Sequence, residues 1–133
     1  MPAQSLNHFT ILTKDLEATK DFYTDIVGLT VGDRPPLAFE GYWLYCSGIP
    51  TVHLIHNRQG DKPLPEKPET GRLDHIAFAS TGLKEMRSKL MQHKIKYEER
   101  VLPRMNMTQL FYLDPDGIAI EMNFPPEETE ARA

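Results

Sequence analysis

The chain reads as an α+β protein made of two βαβββ modules, and three observations in the sequence predict this. Short segments with period-two apolar alternation flank single segments with helical periodicity. The two halves align at a constant offset of 67, which superposes Leu6 on Leu73, His8 on His75 and Leu16 on Leu83. A stretch rich in Pro, Gly and charge, 57–72, separates them as a linker or lid, with Pro63, Pro65 and Pro68 interrupting any regular structure. At 133 residues the length suits a single domain, 1–133, with modules at 6–56 and 73–124 and a flexible polar tail at 125–133.

In order, residues 6–12 form the first predicted strand. Asp15 is placed to cap a helix that carries Leu16, Thr19, Phe22, Tyr23 and Ile26 on one face, and Gly28 stops it. Strands follow at 29–31, 42–46 and 51–56, separated by Arg34-Pro35-Pro36 and Ser47-Gly48-Ile49-Pro50. The second module repeats this pattern: a strand at 73–79, a helix marked by Leu83, Met86 and Leu90, and strands at 96–101, 108–113 and 118–123. Asp114-Pro115-Asp116-Gly117 turns the final hairpin; a Gly bulge there puts Gln109 and Phe111 on the Glu121 face and turns Tyr112 away.

Composition narrows the class of partner. The net charge of −4, with no run of Lys or Arg, argues against nucleic acid or an anionic membrane and favours a small molecule. No stretch of about 18 apolar residues occurs, and the N-terminus has no signal-peptide pattern, so a soluble, cytoplasmic protein is expected. Cys46, the sole cysteine, lies in the apolar run YWLYC and reads as a buried small hydrophobe.

Strand alternation sorts the side chains onto two faces. Phe9 and Ile11 oppose His8 and Thr10; Val52 and Leu54 oppose His53; Ile76 and Phe78 oppose His75; and Ile118, Ile120 and Met122 oppose Glu121. One face is bulky and suited to packing under helices. The other is small and polar, and collects His8, His53, His75 and Glu121. Two imidazoles and one carboxylate suit a divalent metal with coordination positions left open, so His8, His75 and Glu121 are candidate ligands. Trp43 and Tyr45 read as core aromatics, and Arg34 and Arg104 as solvated surface charges.

At LNHFTI with DLEATKDFYTDIVGL behind it, at LDHIAF and at LFYLDPDGIAIEMNF the chain resembles the vicinal oxygen chelate superfamily. This group includes glyoxalase I, extradiol dioxygenases, methylmalonyl-CoA epimerase, and fosfomycin and bleomycin resistance proteins. The resemblance implies an open, barrel-like mixed sheet and a homodimer with sites between subunits. It also implies a metal that grips vicinal substrate oxygens and stabilises an anionic or peroxo species. His53 matches the position of a fourth ligand that is Glu in glyoxalase I, which makes it a candidate ligand or acid/base group beside Glu121. Thr10, Gln109 and Phe111 are implied substrate contacts. The single carboxylate favours an extradiol-dioxygenase-like reaction, with Fe2+ or Mn2+ ahead of Zn2+ or Ni2+, over a glyoxalase-like lyase or isomerase. A resistance protein that binds without turnover is the further alternative.

Overall fold

The computed structural model describes residues 4–56 and 73–129. The chain divides into two compact units, 1–66 and 67–133, and each contains one βαβββ module. The predicted linker or lid at 57–72 lies outside the described residues. In the first unit the elements are β1 (Phe9–Thr13), α1 (Leu16–Phe22) continued by a π-helical turn over Tyr23–Val27, β2 (Thr30–Gly32), β3 (Gly41–Cys46) and β4 (Ile49–His56). The second contains β5 (His75–Ala79), α2 (Leu83–Gln92), β6 (Glu98–Val101), β7 (Thr108–Leu113) and β8 (Ala119–Phe124). The α+β class is as the sequence predicts.

Each module folds into a four-stranded mixed sheet with the same topology, β1-β4-β3-β2 in one and β5-β8-β7-β6 in the other. The first strand of each module pairs in parallel with the last, and the remaining neighbours are antiparallel. Parallel partners cannot be joined by a tight turn, so the helix and two intervening strands occupy the chain between them. The repeat extends to the register. Thr10 lies opposite His53 in one ladder and Ala77 opposite Glu121 in the other, so the offset of 67 at the first strands becomes 68 at the last.

The first helix starts where its capping chemistry dictates. The Asp15 side chain accepts a hydrogen bond from the Ala18 amide at 3.0 Å, satisfying one of the donors left over at a helix start. Leu16, Thr19, Tyr23 and Ile26 are buried, and Phe22 sits at the margin of that stripe with its ring edge-on to Tyr23. Gly28 ends the helical stretch at φ 95°, a backbone angle that costs a residue without Cβ little. Beneath the helix, Thr13 and Thr19 share a buried hydroxyl–hydroxyl hydrogen bond of 2.8 Å that ties β1 to α1.

The bulky strand faces become the cores. Leu44, Val52 and Leu54 are fully buried in the first unit, as are Leu83, Leu90, Leu110, Ile120 and Phe124 in the second. Each such side chain contributes about 1.5–3 kcal/mol of transfer free energy. Gly41 lets β3 lie close to β4: a Cβ there would sit 2.3 Å from the Leu54 carbonyl oxygen. Cys46, expected to be buried, is half-buried near the end of β3. The first strand begins later than expected, at Phe9, with Leu6 80 % exposed ahead of it.

The segment read as a flexible tail makes specific contacts over its described part, 125–129. Pro126–Glu128 form a 3-10 turn, and the Glu128 carboxylate accepts hydrogen bonds from the amides of Gly82 and Leu83 at 2.9 Å. Gly82, which precedes α2, offers no side chain to cap it, so the helix start depends on an acceptor from distant sequence. Thr129 adds a hydroxyl contact with Thr108 at 2.8 Å and donates to the Asn106 carbonyl at 2.7 Å. Polar composition concealed this docking because its partners lie far away in the chain. Replacing Glu128 with Ala is expected to lower the unfolding free energy by about 1 kcal/mol, measured by urea denaturation; an unchanged midpoint contradicts the capping role.

Candidate metal centre

In the second unit the parallel ladder brings His75 and Glu121 together. His75 opens β5 opposite Ala119, and Glu121 lies opposite Ala77 on the neighbouring strand, so both side chains leave the same small-residue face. His75 Nε2 and Glu121 Oε1 are 3.4 Å apart. The other ring nitrogen of His75, Nδ1, donates to the Asp74 carboxylate at 2.7 Å. On the opposite side, Gln109 donates to Asn123 at 2.9 Å and Asn123 donates to Glu121 Oε2 at 2.8 Å, which leaves Oε1 turned toward the histidine. Phe111 lies directly across from Glu121 on β7, and the Arg100 guanidinium rests 5.0 Å from the ring centre. Tyr112 points away into the core, its hydroxyl 3.3 Å from Met122 Sδ.

The first unit builds a related pair. His8 stands just before β1, and His53 takes the ladder position in β4 that Glu121 takes in β8. The two rings stack at 3.9 Å and 13°. Trp43, opposite His53 on β3, covers the other ring face at 4.2 Å and 9°. His8 Nδ1 donates to the Asn7 side-chain oxygen at 2.7 Å, as His75 Nδ1 does to Asp74. Asn7 and Asp74 are themselves related by the 67-residue offset. His53 donates through Nε2 to the Pro50 carbonyl at 3.0 Å, leaving Nδ1 as its remaining nitrogen. Thr10, exposed and opposite His53, adds a hydroxyl to the same face.

The His75–Glu121 pair fits a divalent cation. Ligand atoms about 2.1 Å from a shared ion at angles of about 90–110° lie about 3.0–3.4 Å apart, and the His75–Glu121 separation of 3.4 Å satisfies this. An imidazole whose far nitrogen is held by a carboxylate or amide oxygen presents a fixed lone pair from its Nε2. Both His8 and His75 meet that condition. Among the described residues, no group of three or more His, Cys, Asp and Glu stands ready to hold a metal ion. Each unit assembles one pair.

Several residues acquire a different role from the one their sequence context suggested. Trp43, read as a core aromatic, is half-buried and stacks on His53. Tyr45 likewise is half-buried, donating through its hydroxyl to the Asp33 carbonyl at 2.7 Å. Arg34, read as a solvated charge, is half-buried; it donates to the Phe39 carbonyl at 2.9 Å and lies over the Phe39 ring, holding the loop before β3. Asn7, Asp74 and Asn123 escaped sequence reasoning. The first two carried a signal, since Asn-His and Asp-His recur at the repeat offset.

The two histidines titrate in opposite directions in the metal-free protein. Burial of the His53 ring holds its pKa below the ordinary 6.5, with the charges of His8 and Arg34 acting in the same sense against the Pro50 hydrogen bond. The Asp74 hydrogen bond holds His75 above 6.5, opposed by desolvation and assisted by the charges of Glu121 and Asp74. A depressed His53 penalises the fold as pH falls from 6.5 through its lowered value. A raised His75 contributes stability that is complete below 6.5 and is lost as pH rises through its own value. NMR pH titration of the imidazoles should find His53 titrating below His75; the reverse order would contradict this electrostatic assignment.

Similarity to known proteins agrees with this architecture. Residues 5–122 match the family model described as the Glyoxalase/Bleomycin resistance protein/Dioxygenase superfamily. The chain is 34% identical over 122 residues to Glyoxylase I 4 of Arabidopsis thaliana, covering 89% of this chain and 69% of that protein. It is 31% identical over 137 residues to biphenyl-2,3-diol 1,2-dioxygenase 3 of Rhodococcus globerulus, covering 93% of this chain and 67% of the relative. A lactoylglutathione lyase structure from Agrobacterium tumefaciens shares the fold with TM-score 0.67 at 17% identity, over 98% of this chain and 100% of the other. With its two repeated sheets and a family match across nearly all of its length, the chain belongs to the glyoxalase/bleomycin resistance/dioxygenase superfamily, the vicinal oxygen chelate group.

Proposed function

We propose that this protein is a metal-dependent enzyme in which His8, His75 and Glu121 hold a divalent cation, Fe2+ or Mn2+ ahead of Zn2+ or Ni2+, and His53 serves as a fourth ligand or acid/base group. The observation that carries the proposal is the His75–Glu121 pair at 3.4 Å, with Asp74 on the far nitrogen of the imidazole. When bound, such a cation supplies Lewis acidity to two adjacent oxygens of a small substrate. The reaction favoured is extradiol-dioxygenase-like cleavage of a ring bearing vicinal hydroxyls, because one carboxylate stands among the four donors and an imidazole takes the position equivalent to Glu121. The proposal includes a homodimer as the working form and the cytoplasm as its location. Among the described residues no helix is long and apolar enough to cross a membrane.

The surroundings of the side chains support these roles. His53, with its pKa lowered by burial, is neutral near pH 7; its Nδ1 can accept a proton from a substrate hydroxyl while Trp43 and His8 hold the ring plane. The Thr10 hydroxyl is available to a substrate oxygen. Phe111 offers a flat apolar wall beside Glu121, and Gln109, through Asn123, fixes the rotation of the Glu121 carboxylate. The second reading is a glyoxalase-like lyase or isomerase, favoured by the 34% identity to a protein named Glyoxylase I 4. It requires His53 to do the work of a carboxylate base.

Protein purified without added metal is expected to contain about one divalent ion per subunit, lost in His75→Ala and in Glu121→Ala. Asp74→Ala should retain the ligands but weaken affinity by about 10–100-fold, measured by competition with a chelator. Unchanged metal content in both ligand variants would overturn the site. Oxygen uptake with a panel of catechols and Fe2+ tests the reaction: consumption supports the oxygenase, whereas silence with catechols and turnover of a glutathione hemithioacetal supports the second reading.

A further inference from the structure

A cleft of about 740 Å³ opens in the second unit, lined in part by the ladder partners of His75 and Glu121. Ile95, Tyr97, Phe111, Tyr112, Leu113 and Ala119 line it together with Lys96 and Glu98, which are exposed and form its rim. Two of these residues join it to the candidate metal centre: Ala119 is the ladder partner of His75, and Phe111 is the ladder partner of Glu121. Leu113, two positions along β7 from Phe111, is 60 % exposed, an apolar side chain left uncovered where the cleft continues. The rim charges are unequal in availability. Glu98 has Arg100 at 3.7 Å, whereas Lys96 forms no ion pair with any described residue.

We infer that this cleft takes the organic body of the substrate, an aryl ring carrying a carboxylate on a short side chain, with the ring against Phe111 and Leu113 and the carboxylate at Lys96. The inference rests on the proposed metal-dependent reading for its orientation, since it places the oxygen-bearing edge of the ring at the His75–Glu121 end. The chemistry of the cleft itself is independent of any metal. Apolar walls desolvate a ring, and Lys96, the cation among the lining residues, selects an anion over a neutral group of the same shape, while Arg100 beyond the Phe111 ring is paired with Glu98. A cationic or uncharged side chain on the ligand would leave the Lys96 ammonium opposed or unused.

The test uses the metal-free protein with 3-phenylpropanoate and its neutral amide as probes, followed by NMR shifts of the methyl groups of Ile95, Leu113 and Ala119. Both probes should move these signals, with the carboxylate binding about three- to fivefold more tightly, the scale of an exposed ion pair. Lys96→Met should abolish that preference and leave the amide unaffected, and Phe111→Ala should weaken both. Metal content should stay at the wild-type level in Lys96→Met. No shift at these methyls, or a preference for the carboxylate that survives in Lys96→Met, overturns the inference. Failure here with the His75 and Glu121 metal dependence intact leaves the proposed function standing; loss of that dependence with the probe results intact does the reverse.

Discussion

Parallel pairing of the first and last strand of each module is the constraint on which the rest depends. It places a residue from the start of the repeat beside one from its end, on a face where small neighbours leave room. In the second unit this sets His75 against Glu121, and in the first His8 against His53. The intervening helix and antiparallel strands serve this arrangement by burying the opposite face. Leu44, Val52 and Leu54, and in the other unit Leu110, Ile120 and Phe124, anchor the ladders so firmly that a slip of one residue would turn every ligand candidate into the core.

The duplicated framework has been furnished differently in its two copies. Equivalent ladder positions hold an imidazole in one unit and a carboxylate in the other, and the aromatic residues opposite them are Trp43 and Phe111. In the first unit planar rings stack and exclude water, which depresses the His53 pKa. In the second unit hydrogen bonds dominate: Asp74 fixes one end of the pair and the Gln109–Asn123 relay fixes the other. One copy therefore holds its imidazole by packing, the other its imidazole and carboxylate by polar contacts. This difference leaves the first unit with a stacked, desolvated imidazole and the second with a hydrogen-bonded imidazole–carboxylate pair.

Local stability devices also reach across the chain within each unit. Thr13 and Thr19 bind one another beneath α1, whereas α2 relies on Glu128 from beyond the last strand. The contrast follows from the residue at the helix start. Asp15 has a side-chain acceptor, but Gly82 has none, so the second helix takes its acceptor from the chain after β8. Arg34 plays a comparable role in the loop before β3, where a charge is spent on backbone geometry.

The amino-acid pattern alone determined the two modules, the order of their elements and the face each strand buries, and it nominated the candidate ligand set. Alternation and helical period are local properties, and a repeat offset of 67 points directly to the repeated topology of the two units. The Asp-Pro-Asp-Gly turn was legible too, and with it the facing of Phe111 and Glu121. Only the tertiary structure decided which contacts hold these elements and side chains: Asn123 on Glu121, Trp43 on His53 and Glu128 on α2. These contacts join residues by ladder register and long-range docking, where sequence distance is no guide to spatial distance. Burial likewise decided the lowered pKa of His53, because desolvation depends on neighbours brought together by folding.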